Sequence, residues 1–525
     1  MTTLPVLTWI GNAAAVLCGS FGAVTRQARQ AGCSRQAAYD HAQRVQQAVA
    51  DAQGSGPPRE QLLRENQHLR EENRQLWAAL ETAVDFPAAK RHQFAATASA
   101  MGLSLRQIAV LLAIVLPPAL CPKRATLGRW VQQAAARAGR VLQVLDRACH
   151  RVVRTLCLDE IFFHRQPVLM GVEPHSFVWG IGQRTPDRTG ATWGATLAPW
   201  GRLTYVAVDG GLGLRRGLEL TSQQRQEAGP PLPLETNLDN FHIQQEGRKA
   251  LRAEWQEAER VWQQADQADR AAAVKERQGQ DSRALQTSAR AAWARAEKAF
   301  TTAERREAAL GRVAAALGLF QPGGPLNDRA WASAEIQAAL QDLPEGRWAK
   351  FGRMARDPRA LTFLDRLHRE LQAAEPHAEL RAALLQLWQA RHPQRSGQGS
   401  PSSSNRSPAL VSLRTLICQK LAADWPAAYG RVAGVLHRTV RASSVVECMN
   451  SVLRMHQARH RGLSQGLIDL KRLYWNCRTF AEGKREGHCP YEHLGLDLPT
   501  YDYWSLLQLD PEDLEQKVST SRVGK

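Results

Sequence analysis

No Cys-x-x-Cys pair occurs anywhere in this 525-residue chain. Its nine cysteines are scattered and odd in number, which argues against both a structural zinc site and a disulfide frame. Free thiols in a reducing cytosol fit better, so a cytoplasmic location is expected. Long apolar runs are absent too. The longest, Ile108 to Leu116, is too short to span a bilayer and ends in Pro117-Pro118, so no membrane partner is expected. The N-terminus is apolar but has no basic stretch before it, and "AVLCGS" is therefore not read as a lipoprotein cleavage site. Acid is in deficit: 68 Lys and Arg stand against 50 Asp and Glu, giving a net charge of +18 and a pI of about 9.9. That balance points to a polyanionic partner, nucleic acid before an acidic membrane surface. Residues 1–150 hold 17 basic residues against 9 acidic, nearly all of the basic ones Arg. Arginine suits bidentate contacts to phosphate and guanine.

The length is too great for one hydrophobic core, and about three to four domains are expected. Residues 1–50 hold a helix-turn-helix pattern over 21–46. Val24 and Ala28 face inward on the first helix, Gly32 makes the turn, and Ser34 caps the second. Arg35 and Gln36 then fall at the start of a recognition helix, where base edges are read. Gly54 to Pro58 reads as a linker. Residues 59–82 are expected to form a short coiled coil, with Leu62, Leu69 and Leu76 seven apart and Asn66, Asn73 and Leu80 at the other core position. Asn there favours a parallel dimer in register. Residues 88–145 read as a second helical DNA-binding domain, with Lys123, Arg124 and Arg129 at the start of its last helix and Ala125, Leu127, Trp130 and Val131 in its core.

From residue 152 the pattern turns to short apolar runs at 155–163, 168–173, 177–183 and 203–208, which predict four strands. Asp159 lies inside the first. A carboxylate in a buried strand survives only at an open end, paired, or on a metal. Glu160 is expected to point to the opposite face. Asp209, 50 residues on, closes the fourth run and meets Gly210-Gly211. Asp239 and His242 open a long helical region. Gln244 to about Ala316 predicts two long helices broken at Gly279, with Trp255 and Trp262 in their seam. More helices follow to about Ala390, then a linker over Gln394–Pro408. Glu447, 238 residues after Asp209, sits on a helix whose apolar face is Val445, Val446, Met449, Val452 and Leu453, with Asn450 and Arg454 on the polar face. Arg454, Arg459 and Arg461 follow it as candidate phosphate contacts. The end of the chain is polar and is expected to fray. Two strand carboxylates and one helix carboxylate are the set that holds hard divalent cations on oxygen.

With these residues assembled, the chain resembles the DDE transposases of bacterial insertion sequences. Those enzymes share an RNase H-like fold with retroviral integrases and carry Asp, Asp and Glu on the first strand, after the fourth strand and on a later helix. "DGGLGLRRGLE" is similar to the text after the second Asp in Mutator-like and related bacterial transposases. Asp239 and His242 match the Cys/Asp-x-x-His element of those groups. The helical stretch before Glu447 is similar to their all-α insertion, and "VVECMNSVLR" to their text around the Glu. The resemblance covers about residues 150–495. It implies a mixed fold: an RNase H-like α/β core in two parts, 152–243 and 410–495, interrupted by an all-α insertion over 244–405, with a tail over 496–525.

The resemblance further implies two Mg²⁺ or Mn²⁺ ions on Asp159, Asp209 and Glu447 as catalytic and metal-binding residues. His242, oriented by Asp239, would contact phosphate. The expected partners are double-stranded DNA, both terminal inverted repeats and target, and further copies of the chain as a homodimer or larger oligomer. The expected activity is metal-dependent strand cleavage and strand transfer. A tryptophan of the insertion, Trp331, could stack on a flipped base, against the plainer reading of core packing. Glu219 and Glu482 are weaker alternatives for the third acid. The rival readings are a catalytically inactive, transposase-derived DNA-binding regulator and a nuclease without strand transfer.

Overall fold

The apolar run around Asp159 forms a nine-residue strand, β1 (Thr155–Phe163), with the boundaries its pattern predicts. The computed structural model describes residues 6–55, 59–82, 86–227, 229, 233–392, 408–457 and 463–520. Helices dominate, and β1 is the middle strand of one mixed five-stranded sheet. Contacts divide the chain into two units, Met1–Pro87 and Ala88–Lys525. No helix among the described residues is long and apolar enough to cross a membrane.

In the first unit, helices Ala23–Gln30 and Arg35–Ser55 are joined by a turn in which Gly32 takes φ +62°, a left-handed conformation suited to glycine. Ser34 Oγ accepts from Ala37 N at 3.1 Å and starts the second helix. A helix Val6–Leu17, which the pattern did not predict, packs on this pair and stacks Trp9 on His41 at 5.0 Å. Arg35 and Gln36 are exposed. The expected linker starts later than the sequence suggests, because helix runs through Ser55, and residues 56–58 lie outside the described residues. Arg59–Thr82 is a helix on which Leu62 and Leu69 are half exposed, at 50% and 52%. The side chains of Leu76 and Leu80 lie outside the described set.

In the second unit the strands β2 (Gln166–Val172), β3 (Trp179–Arg184), β4 (Tyr205–Val208) and β5 (Glu235–Leu238) join β1 in the order β3-β2-β1-β4-β5. β1, β2 and β3 are antiparallel to their neighbours, whereas β1, β4 and β5 run parallel. β5 is absent from the predicted strands. Its four residues, Glu-Thr-Asn-Leu, carry no apolar alternation. Asn237 instead accepts from Phe363 N at 3.0 Å and so docks the helical insertion on the sheet edge.

The pleat sorts the side chains onto two faces. Leu156 and Leu158 join a core built with helix Arg124–Val152, helix Gly190–Leu197 and helix Leu212–Glu227. Cys157, Ile161 and Phe163 face the other way, onto Val446, Met449 and Leu453 of helix Ser444–Gln457. Each of those three helix residues is fully buried, and each burial is worth about 1.5–3 kcal/mol. Asp159 belongs to this second face by parity, so the Glu447 helix is pressed onto the face that carries the first acid.

Three expected boundaries move. Helix Arg124–Val152 is not part of a separate domain over 88–145, because Ala138, Leu142 and Leu145 are buried in the sheet's own core. Leu127 is buried as expected, Trp130 and Val131 are half-buried, and Ala125 is exposed. As far as residue 520, the expected tail does not fray. Helices Tyr503–Gln508 and Pro511–Thr520 bury Leu506, Leu507, Leu514 and Val518 in that core, although the segment looks polar overall. The helical insertion extends past 405, since helices Pro408–Leu421 and Trp425–Arg438 pack with Ala378–Arg391 around Leu384 and Val432. Residues 393–407, which hold most of the expected Gln394–Pro408 linker, lie outside the described residues.

The long helices are Asn240–Arg277 and Arg283–Ala316, with Gly279 in the break between them. Trp255 meets Phe300 at 5.5 Å and Trp262 meets Trp293 at 4.7 Å, so both are seam residues. Trp331 is half-buried against the insertion's core, which favours packing over base stacking.

Candidate functional site

Sheet register explains the spacing of the acids. Leu158 pairs with Val208, and Val208 with Leu238. The residue after each of these three is Asp159, Asp209 and Asp239. Separations of 50 and 30 residues in sequence therefore place three aspartates level across three adjacent parallel strands, Asp209 and Asp239 just past the carboxyl ends of β4 and β5 and Asp159 inside the longer β1, where its parallel pairing stops. Ligand sites of α/β sheets lie at such ends.

Asp159 is 7% exposed. Its Oδ1 accepts from Glu160 N at 2.8 Å and its Oδ2 from Asn450 Nδ2 at 2.6 Å. Burial pushes its carboxyl up to about 6. The Glu160 bond opposes that shift, the charges of Asp209 and Glu447 add to it, and His242 offsets part of it. Asp209 is half-buried, and Gly211 N donates to its Oδ1 at 3.0 Å, which closes the Gly-rich turn after β4. Helix Leu212–Glu227 starts so close to the segment before helix Gly190–Leu197 that a Cβ on Gly213 would lie 1.9 Å from Arg188 O.

Asp239 is fully buried and is not a bare strand-end acid. It caps helix Asn240–Arg277 by accepting from Phe241 N at 2.7 Å, and it also accepts from Ser443 Oγ. Its Oδ2 lies 2.6 Å from His242 Nδ1. His242 Nε2 then lies 3.6 Å from Glu447 Oε1. Burial alone would lower the imidazole's pKa, but the Asp239 bond and the charges of Asp239, Asp159 and Asp209 raise it. The line Asp239–His242–Glu447 thus ties two of the predicted elements together.

Glu447 reaches the site because the segment before its helix is pinned across the sheet. Tyr205 Oη donates to Val440 O at 2.7 Å, Asn240 N donates to Arg441 O at 3.0 Å, and Cys157 Sγ lies 3.7 Å from Ala442 O. Arg454, predicted to hold phosphate, instead bonds Glu447 Oε2 at 3.2 Å. Of the alternative acids, Glu219 pairs with Arg215 and Arg216, and Glu482 is exposed. Glu447 is among the charges that act most on Asp159. Arg459 and Arg461 lie outside the described residues. Lys123, Arg124 and Arg129 are exposed on the first turns of helix Arg124–Val152. Glu160 points away from the site, as alternation requires, and bonds Trp193 Nε1 at 2.9 Å and Arg188 Nη1 at 2.8 Å.

Among the described residues, no three of His, Cys, Asp and Glu are gathered closely enough to hold an ion between them. The residue types are nonetheless those that bind hard cations, since the charges acting on the buried Asp159 are those of two other carboxylates. The sequence reading missed Asn450 and Ser443. Asn450 was placed on the polar face of its helix but is 1% exposed and bonded to Asp159. Its one legible signal is position: it follows Glu447 by three residues, one helical turn.

No known family, curated protein or solved structure matches the chain.

Proposed function

We propose that this chain is a DDE-type transposase, cutting and joining DNA at the terminal inverted repeats of a mobile element. The observation that carries the reading is convergence on Asp159: strand register sets Asp209 level with it, and the helix that carries Glu447, 238 residues after Asp209, bonds it through Asn450. Asp159 lies on the first strand and Asp209 just after the fourth, the slots that the resemblance assigns in an RNase H-like core. The helical pair around Gly32 supports a DNA-reading helix-turn-helix with Arg35 and Gln36 at its reading end, and the charge of +18 supports a polyanionic partner.

Asp159, Asp209 and Glu447 would hold two Mg²⁺ or Mn²⁺ ions. Ions bound there would supply charge stabilisation and activation of the nucleophile for in-line displacement at phosphorus. The chain's own part is positional. Asp239, fixed by its cap and by Ser443, holds His242 with Nε2 toward Glu447 and the cluster. The neighbouring carboxylates favour the protonated imidazole, which would donate to a phosphate oxygen. Arg454 holds Glu447 until a phosphate draws the guanidinium away.

The test is a nicking and joining assay on DNA carrying the element's ends, with Mg²⁺, for the wild type and Asp209→Asn. Metal-dependent nicking with joined product, lost in the variant, is expected. Binding without nicking by the wild type would overturn the enzyme in favour of a DNA-binding regulator. Hydrolysis without joining would reduce it to a nuclease.

A further inference from the structure

The face of helix Val6–Leu17 turned away from its own unit is apolar and bare. On the inner side Asn12 and Ala13 are buried, and Asn12 Nδ2 lies 2.9 Å from His41 Nδ1. Helical periodicity then fixes what faces outward. Val6, Leu7, Ile10, Ala14 and Leu17 fall on one stripe about 100° wide. All five are exposed, Leu7 at 80% and Ile10 at 52%. Phe21, in the turn that follows, is fully exposed. Leu7, Ile10, Ala14 and Leu17 recur at steps of three and four, the spacing of a seam between two helices. None of the twelve residues Val6–Leu17 is charged.

Chemistry narrows the occupant. A face without Lys or Arg offers nothing to phosphate, so nucleic acid does not suit it. A helix lying on a membrane carries Lys and Arg beside its apolar stripe, and this one carries neither. A second copy of the same helix does suit it. Two uncharged stripes of equal spacing meet with no like charges opposed, as a two-fold contact requires. Val6, Leu7, Ile10, Leu17 and Phe21 expose roughly 600 Å² between them, so two copies supply roughly 1,200 Å², enough for a specific interface. The same unit carries another helix of this kind, Arg59–Thr82, whose Leu62 and Leu69 are half exposed seven residues apart.

We infer that the outward stripe of helix Val6–Leu17 is a self-association surface, through which two copies of the chain pair as a two-fold dimer. Pairing of this kind is independent of the acids around Asp159 and of the chemistry they serve.

The test is sedimentation velocity of the full chain at micromolar concentration. The variants are Ile10→Glu with Leu17→Glu, and Ile10→Lys with Leu17→Lys. The wild type should sediment as a dimer. Each charged variant should sediment as a monomer, because every copy presents the same charge to its partner. An equimolar mixture of the two should recover the dimer, whichever way the helices run. A merely structural role would not give that recovery, since two misfolded variants do not repair each other. Ile10→Ser with Leu17→Ser, which adds no charge, should raise the dimer Kd about tenfold or more. A monomeric wild type would overturn the inference, and flotation of that monomer with phosphatidylglycerol vesicles would assign the stripe to lipid instead. Charged variants that stay monomeric when mixed would overturn it too. So would a dimer that survives both charged variants and is lost in Leu62→Glu with Leu69→Glu, which would place the contact on helix Arg59–Thr82.

Discussion

Replacing Asp159 by Asn should make the metal-free protein more stable, although it removes a residue of the candidate site. The folded-state carboxyl titrates near 6, against 3.8 for an ordinary aspartate, chiefly because it is buried and then because Asp209 and Glu447 repel its charge. A shift of about two units at about 1.4 kcal/mol each sets a ceiling of about 3 kcal/mol on the strain of holding the ion. The sign follows from the proton balance. Between these two pKa values the folded chain keeps a proton that the unfolded chain has released. Wild-type stability therefore falls as pH rises through that window, and the penalty is complete above about pH 6.

Asparagine keeps an acceptor for Glu160 N but turns a donor toward Asn450 Nδ2. Asn450 can rotate its amide to meet it, because Oδ1 has no partner to lose. The exchange still leaves one imperfect contact, worth about 1 kcal/mol, so the net gain is about 1–2 kcal/mol near pH 7.5. It should vanish by about pH 4, where wild-type Asp159 is protonated in the folded state. Urea unfolding in EDTA at the two pH values measures the difference. A variant less stable than wild type at the higher pH, or equally stabilised at both, would refute the account of a strained acidic cluster.

Other expectations are as direct. Gly213→Ala should destabilise by about 1–3 kcal/mol or more in urea unfolding, because its Cβ would meet the Arg188 carbonyl at 1.9 Å and backbone cannot step aside. Burial, with Arg472 and Arg147 nearby, pulls His150 down to about 4 where it packs edge-on against Trp200. The unfolded chain protonates first, so stability is lost as pH falls from 6.5 toward 4, and His150→Phe should flatten that limb of a Tm-against-pH curve. Arg35→Ala should reduce the salt dependence of DNA binding by about one counterion if the guanidinium meets phosphate. If it reads a base, the change should relax specificity at one position by about 1–3 kcal/mol. Filter binding across a salt series, with matched and mismatched sites, separates the two.

Much of the second unit was legible because its signals are local. β1 has its predicted ends because nine consecutive residues suit a strand buried on both faces. The helix pair broken at Gly279 follows from an Ala/Arg/Glu/Gln-rich text with one clear interruption. β5 was not legible, since its polar residues serve partners more than a hundred residues away, such as Phe363 and Arg369. The C-terminal helices were misread for a related reason. Their few leucines look sparse along the chain, yet Leu506, Leu507 and Leu514 all join the core that includes helix Arg124–Val152.

The sequence by itself determined the residue types at the candidate site: hard oxygen donors, a histidine one helical turn after an aspartate, and a basic chain around them. It also determined four of the five strands and the long helices, because periodicity and turn residues act over a few neighbours. Only the tertiary structure decided that Asp159, Asp209 and Asp239 stand level, because that is a matter of register between parallel strands and no local pattern encodes it. Folding likewise chose Glu447 over Glu219 and turned Asn450 inward. Both depend on which face of one helix is pressed against the sheet, and that is fixed by the burial of Val446, Met449 and Leu453 together.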